Sequence, residues 1–240
     1  MHYGFFGLLR PPFETNKDAN IFFEGGDRRE ALESILFALD HGPVTALIGE
    51  PGTGKSVVVE RLKERLAPGT KLLHAQLTSA SLLSQLKSGV SFLGNFTEQN
   101  TVDECLADMQ AITESEKYKE KAILLILEDF ENETSTTWSQ ITDLVEVSQR
   151  CLINLKILFI GTEKTIDQIS KHRKSIDTSI DYQFFLRSLN ESNSIEYIKH
   201  RVVLAGGDAR KLFSDQALEK IIKIAKGYPK KIDEICQKSL

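Results

Sequence analysis

The stretch Val44-Thr45-Ala46-Leu47-Ile48-Gly49-Glu50-Pro51-Gly52-Thr53-Gly54-Lys55-Ser56-Val57-Val58-Val59-Glu60 decides the fold. Its first five residues are a short apolar run that reads as a buried strand. The next eight fit G-x-x-x-x-G-K-[ST] at every fixed position, and the apolar residues beyond them open a helix. A phosphate chain needs this arrangement. Gly49, Gly52 and Gly54 admit backbone conformations that a Cβ would block, so that successive N–H groups can converge on an anion. The helix begun near Gly54 adds the positive end of its dipole. Lys55 supplies a cation for the β- and γ-phosphates, and Ser56 a hydroxyl for Mg²⁺. The cradle is therefore Gly49, Glu50, Pro51, Gly52, Thr53, Gly54, Lys55, Ser56 and Val57, and its expected ligand is a nucleoside triphosphate with Mg²⁺.

Upstream of this stretch, Asp27 followed by Glu30 marks a helix start, and Ala31, Leu32, Ile35, Leu36 and Leu39 form an apolar stripe that ends at Gly42. Phe22 and Phe23, just before that helix, have two readings, a contact with adenine or packing in the core. Tyr3 to Phe13 is too aromatic for a free tail and too rich in Gly and Pro for a regular element, which predicts a segment packed on the core.

Downstream, Lys71 to Leu77 reads as a strand, Ser81 to Lys87 as a short helix, and Asn100 to Glu116 as an amphipathic helix with an acidic, solvated face. Ala122 to Leu127 is continuously apolar and ends in Glu128-Asp129. Unbroken rather than alternating hydrophobicity marks a strand covered on both faces, the habit of parallel α/β sheets, whose functional residues gather at the carboxyl ends of strands. A polar connector from Glu131 to Thr136, a helix near Trp138 to Gln149, a strand from Leu155 to Ile160 ending at Gly161-Thr162, and a fifth strand within Ile180 to Leu186 follow. From Asn190 the pattern is helical only. Asn190 caps a helix carrying Ile195, Ile198, Val202 and Ala205 that stops at Gly206-Gly207; Ser214 caps another, with Leu218, Ile221, Ile222 and Ala225, that stops at Gly227; Pro229 opens a last one. The expected plan is an α/β domain over residues 1–189 and a small all-helical domain over 190–240.

Composition excludes several classes. At 41% hydrophobic and 27% charged the chain is neither disordered nor membrane-embedded, and its longest aliphatic run is far short of the ~20 residues of a span. With 30 basic against 34 acidic residues the net charge is −4, so no basic excess points to nucleic acid. Residues 190–240 carry ten Lys and Arg against seven Asp and Glu, a bias too mild to decide the matter. Cys105, Cys151 and Cys236 lack metal-ligand spacing, which fits reduced, buried thiols in a cytosol. The chain shows no signal peptide, and the expected location is cytoplasmic.

Several words of the sequence together resemble the general secretion pathway protein A group of AAA+ ATPases. They are Tyr3 to Phe13, the glycine loop, the strand ending Glu128-Asp129, Tyr197-Ile198-Lys199-His200-Arg201, Ala205-Gly206 and Gly227-Tyr228-Pro229-Lys230-Lys231-Ile232. The resemblance implies a P-loop AAA+ fold, a parallel sheet flanked by helices followed by a helical lid. It also implies an ATPase that serves assembly of a secretion or pilus apparatus at the cytoplasmic face of the bacterial inner membrane, through protein partners. The transposition ATPases among the relatives act with DNA, and a nucleotide-gated scaffold without hydrolysis is a further reading; self-association is left open.

By matching position, Lys55 and Ser56 carry Walker A. Glu128 and Asp129 stand where the group has Asp then Glu, the first holding Mg²⁺ through water and the second orienting the attacking water. Alternation along a strand then puts the two carboxylates on opposite sides, with reversed lengths. Thr162 falls at the sensor-1 position and Lys230 at sensor 2, where Arg is usual. The finger position aligns near Thr178-Ser179-Ile180, which holds no arginine; Arg173 and Arg187 are the neighbouring candidates. Each has a plainer alternative: a polar strand end for Glu128-Asp129, a turn for Thr162, solvation for Lys230 and Lys231. A cation in the first turn of a helix opposes its dipole unless an anion is present, which argues against solvation alone.

Overall fold

A computed structural model describes residues 3–14, 19–68, 70–76, 122–130, 134–150, 154–172 and 182–240. The sequence expectations for Ser81–Lys87, Asn100–Glu116, Glu131, Arg173, Thr178 to Ile180, Cys105 and Cys151 lie outside the described residues. The chain divides into two compact units. The first comprises Met1–Ser34, Gly49–Arg65 and Phe185–Leu240, and the second Ile35–Ile48 and Leu66–Phe184.

The second unit holds the sheet. Its strands are β1 (Val44–Ile48), β2 (Lys71–Gln76), β3 (Ile123–Glu128), β4 (Leu155–Gly161) and β5 (Tyr182–Phe185), whose last residue is assigned to the first unit. They lie in the order β2-β3-β4-β1-β5. The β2–β3, β3–β4 and β4–β1 pairs are parallel. All residues of β1 and β3 are buried, as their unbroken apolar sequences predict for strands covered on both faces. The register sets Glu128 opposite Ile160, and Ile48 opposite Gly161, so the carboxyl ends of β1, β3 and β4 are level. On the flank, α3 (Ser135–Arg150) buries Trp138, which stacks on Phe159 of β4 and on His172 of α4 (Glu163–His172). Helix α1 (Arg28–His41) starts in the first unit and ends just before Gly42, where its stripe predicts the stop.

The first unit is built on α2 (Lys55–Arg65), which follows the glycine loop, and on α5 (Glu191–Leu204), α6 (Ala209–Leu212), α7 (Asp215–Ala225) and α8 (Pro229–Ser239). Asn190 accepts from the Asn193 N–H and Ser214 from the Ala217 N–H, so both predicted caps are present. Helix α6 is an addition: Asp208 caps it by accepting from the Arg210 N–H. Helix α7 ends on Lys226 at φ 53°, before Gly227 at φ 75°. Gly227 is required by close approach, since a Cβ there would overlap the Leu189 carbonyl oxygen. The N-terminal segment packs as expected. Leu8 and Phe13 are buried in one cluster with Ile198, Val202, Phe213, Ile221, Ile232 and Cys236, so their cover comes from the helices beyond Asn190.

Candidate nucleotide site

The glycine loop joins the end of β1 to the start of α2, and its own hydrogen bonds shape it. Gly52 (φ 85°) and Gly54 (φ 100°) take left-handed backbone, where a side chain is penalised. Between them, Thr53 donates twice to the Glu50 carbonyl, from its N–H at 3.2 Å and its hydroxyl at 2.8 Å. The N–H groups of Val57 and Val58 both donate to the Gly54 carbonyl and begin α2. Lys55 lies over the loop, its Nζ donating to Gly49 O at 2.5 Å and Glu50 O at 3.3 Å. Ser56 and Val57 occupy the first turn of α2, half-buried. A Cβ at Gly49 would stand 2.6 Å from the Leu186 carbonyl oxygen, which explains why glycine opens the loop.

Two residues distant in sequence support this loop from within the same unit. Arg28 Nη2 donates to Thr53 O at 2.8 Å and to Arg187 O at 2.9 Å, while Asp27 accepts from the Arg187 N–H at 3.1 Å. Burial lowers the Arg28 pKa below the usual arginine range, against the opposing charge of Asp27. Lys230, in the first turn of α8, donates its backbone N–H to Gly52 O at 3.3 Å, and its Cβ lies against Gly52. That turn carries no acidic residue, so Lys230 and Lys231 both stand at the positive end of the helix. Lys231 finds a local partner in the Tyr228 ring, 5.1 Å from its Nζ; Lys230 is exposed beside the loop.

In the second unit, Glu128 closes β3 and is buried, whereas Asp129 has left the strand at φ 64° and is exposed. The alternation expected for the pair therefore covers Glu128 only, because Asp129 does not have strand backbone. Its N–H donates to Ile160 O at 3.1 Å, which keeps the turn against the end of β4. Thr162 follows β4, and its carbonyl accepts from the Thr165 N–H at the start of α4. The fold thus brings Glu128, Asp129 and Thr162 to the carboxyl ends of adjacent strands, and separately groups residues 49–57 with Lys230.

The aromatic pair resolves toward packing: Phe22 is buried and Phe23 stands edge-on to Tyr197, with ring centroids 5.6 Å apart. Sequence reasoning gave Arg28 no role; it read the helix start from Asp27 and Glu30 alone. It also missed a buried network in which Arg201 donates to Tyr197 Oη and Asp233, and to the carbonyls of Pro12 and Glu14. Desolvation outweighs those donors and raises the Asp233 carboxyl to about 7, and burial pushes the Cys236 thiol up to about 12. No cluster of His, Cys, Asp and Glu suited to a metal exists among the described residues, nor any described helix long and apolar enough to cross a membrane.

Among solved structures, a Walker-type ATPase of Pyrococcus abyssi is similar with a TM-score of 0.70 at 15% identity, over 94% of this chain and 70% of that one. Cdc6p of Pyrobaculum aerophilum gives 0.65 at 15% identity, over 92% and 63%. The Orc1 protein of Aeropyrum pernix, solved in complex with DNA, gives 0.64 at 12%, over 93% and 64%. The chain thus spans less than two thirds of the length of the latter two, and at these identities the likeness shows the fold alone. No curated protein matches the sequence. The AAA domain family does, from residue 38 to residue 169, and a match over more than half of its length makes this chain a member of that family.

Proposed function

We propose that the protein binds Mg-ATP, hydrolyses it slowly, and passes its nucleotide state to an assembly partner through the helices of residues 190–240, with residues 1–189 as the nucleotide-binding part. The observation that carries the reading is the loop between β1 and α2, with two left-handed glycines and Lys55 at the helix start. Residues 49–57 hold the phosphates by backbone N–H groups, Lys55 neutralises the β- and γ-oxygens, and Lys230 senses the γ-phosphate. Ser56 and Glu128 offer hard oxygen donors, which suit a Mg²⁺ that keeps several of its waters. When bound, Mg²⁺ neutralises charge developing on the β- and γ-oxygens. Asp129 orients the attacking water, and Thr162 the γ-phosphate. Asp129 is a methylene shorter than the usual Glu, and a misplacement of about 1 Å can cost ~10² in rate, hence the slow turnover.

The words shared with the general secretion pathway protein A group support a partner in a secretion or pilus apparatus, reached from the cytoplasm at the inner membrane. A second reading takes DNA as the partner, favoured by the fold shared with the Aeropyrum pernix Orc1 protein in its DNA complex. Calorimetry with ATP and Mg²⁺ tests the core of the proposal: wild type binds, and Lys55→Ala binds at least ~100-fold more weakly with its melting temperature retained. Equal affinities overturn it. Turnover raised severalfold by duplex DNA selects the second reading.

A further inference from the structure

The Thr53 carbonyl points at Arg28, 25 residues earlier in the chain, and the bond of 2.8 Å is buried. A trans peptide is planar, with its C=O and N–H on opposite sides, so whatever fixes the Thr53 carbonyl also fixes the direction of the Gly54 N–H. The flanking parts of the loop are held locally: Thr53 by Glu50, and the Gly54 carbonyl by Val57 and Val58. The Thr53–Gly54 peptide between them is held by Arg28. Gly54 itself resists no flip, since it sits at φ 100° with nothing within 4 Å of where a Cβ would be. A flipped peptide would turn a carbonyl oxygen toward a bound anion in place of an N–H.

The guanidinium is built as a fixed post. Its Nη2 is shared with the Arg187 carbonyl, Asp27 lies 4.0 Å from Nη1, and Asp27 is in turn held by the Arg187 N–H. Its side chain is 5% exposed, and Nη1 is buried without a hydrogen bond. Burying a charge with an unmade bond is costly, and an apolar side chain would fill the space at less cost. Packing alone gives no reason for arginine here. We propose that Arg28 is a positioning residue for the phosphate cradle, holding the Thr53–Gly54 peptide with its N–H toward bound phosphate; this rests on the nucleotide reading above.

The test is calorimetry with ATP and Mg²⁺ on wild type, Arg28→Met and Arg28→Lys, each melted first without nucleotide. Methionine fills similar space without a donor, and ATP affinity should fall about tenfold or more. Lysine restores one charged donor and should bring affinity back to within about threefold of wild type. Wild-type affinity in Arg28→Met overturns the proposal alone, as does Arg28→Lys binding no better than Arg28→Met when both melt like wild type. A wild type that binds no ATP overturns the nucleotide reading and this proposal together. Should Arg28→Met fail to fold, the Gly54 amide resonance of wild type decides. A large shift on saturation with ATP supports the proposal, and an unmoved resonance overturns it.

Discussion

Asp129 combines a left-handed backbone with a carboxylate that the proposed reaction uses, and the two demands can be separated by substitution. Asn and Asp tolerate positive φ better than other side chains, whereas Glu pays a larger share of the ~1–2 kcal/mol left-handed penalty. Asp129→Asn should keep the melting temperature and lower ATP turnover at least ~10-fold; Asp129→Glu should raise turnover while melting a few degrees lower. Turnover assays beside thermal melts check both, and unchanged turnover in Asp129→Asn removes Asp129 from the chemistry. Asp233 is one group through which pH acts on the fold. Its folded-state pKa of about 7 lies above the unfolded value near 4. Its contribution to stability is therefore complete below about pH 4 and is lost as pH rises to about 7. Denaturant midpoints of wild type minus Asp233→Asn should fall across that window and flatten above it; a flat difference throughout removes Asp233 as the cause.

At the level of elements, helix α8 brings two lysines and no acid to its positive end, against the Gly52 carbonyl. If bound phosphate supplies the missing anion, ATP should slow limited proteolysis between Leu186 and Asn190, and Lys230→Ala should abolish that protection and weaken ATP severalfold. Equal cleavage with and without ATP makes Lys230 a surface residue. The elements themselves were largely legible. Unbroken apolar runs announced β1 and β3, and Asn190, Ser214 and Pro229 announced three helix starts, because burial on both faces and unsatisfied N–H groups leave local marks. Features set by distant contacts were hidden. Arg28 and Arg29 are adjacent and chemically identical, yet only Arg28 is buried, because what selects it is Thr53. Tyr197 and Arg201 share a helical face by their spacing, but Asp233 enters from α8, 32 residues on from Arg201. The apolar run before Asp129 gives no sign of where the backbone turns, so in the sequence Asp129 reads as the end of a strand.

Across the whole molecule, the chain passes between its two units after Ser34, Ile48, Arg65 and Phe184, so neither is a continuous stretch of sequence. An assembly of such chains would need an arginine from a neighbour to accelerate hydrolysis, and such a residue can contribute 10³ or more. The aligned stretch Thr178-Ser179-Ile180 has none. Specific activity should therefore stay within about threefold over a hundredfold range of protein concentration. A steep rise would direct mutation to Arg173 and Arg187. The burial of Leu8 and Phe13 among helices that end near Cys236 has a further consequence, in time rather than space. At about 5–20 residues per second, a ribosome finishes the last of those helices roughly 10–50 s after it makes Phe13. Until then the nascent chain displays an apolar segment whose docking surface is incomplete, the kind of transiently exposed surface that chaperones hold.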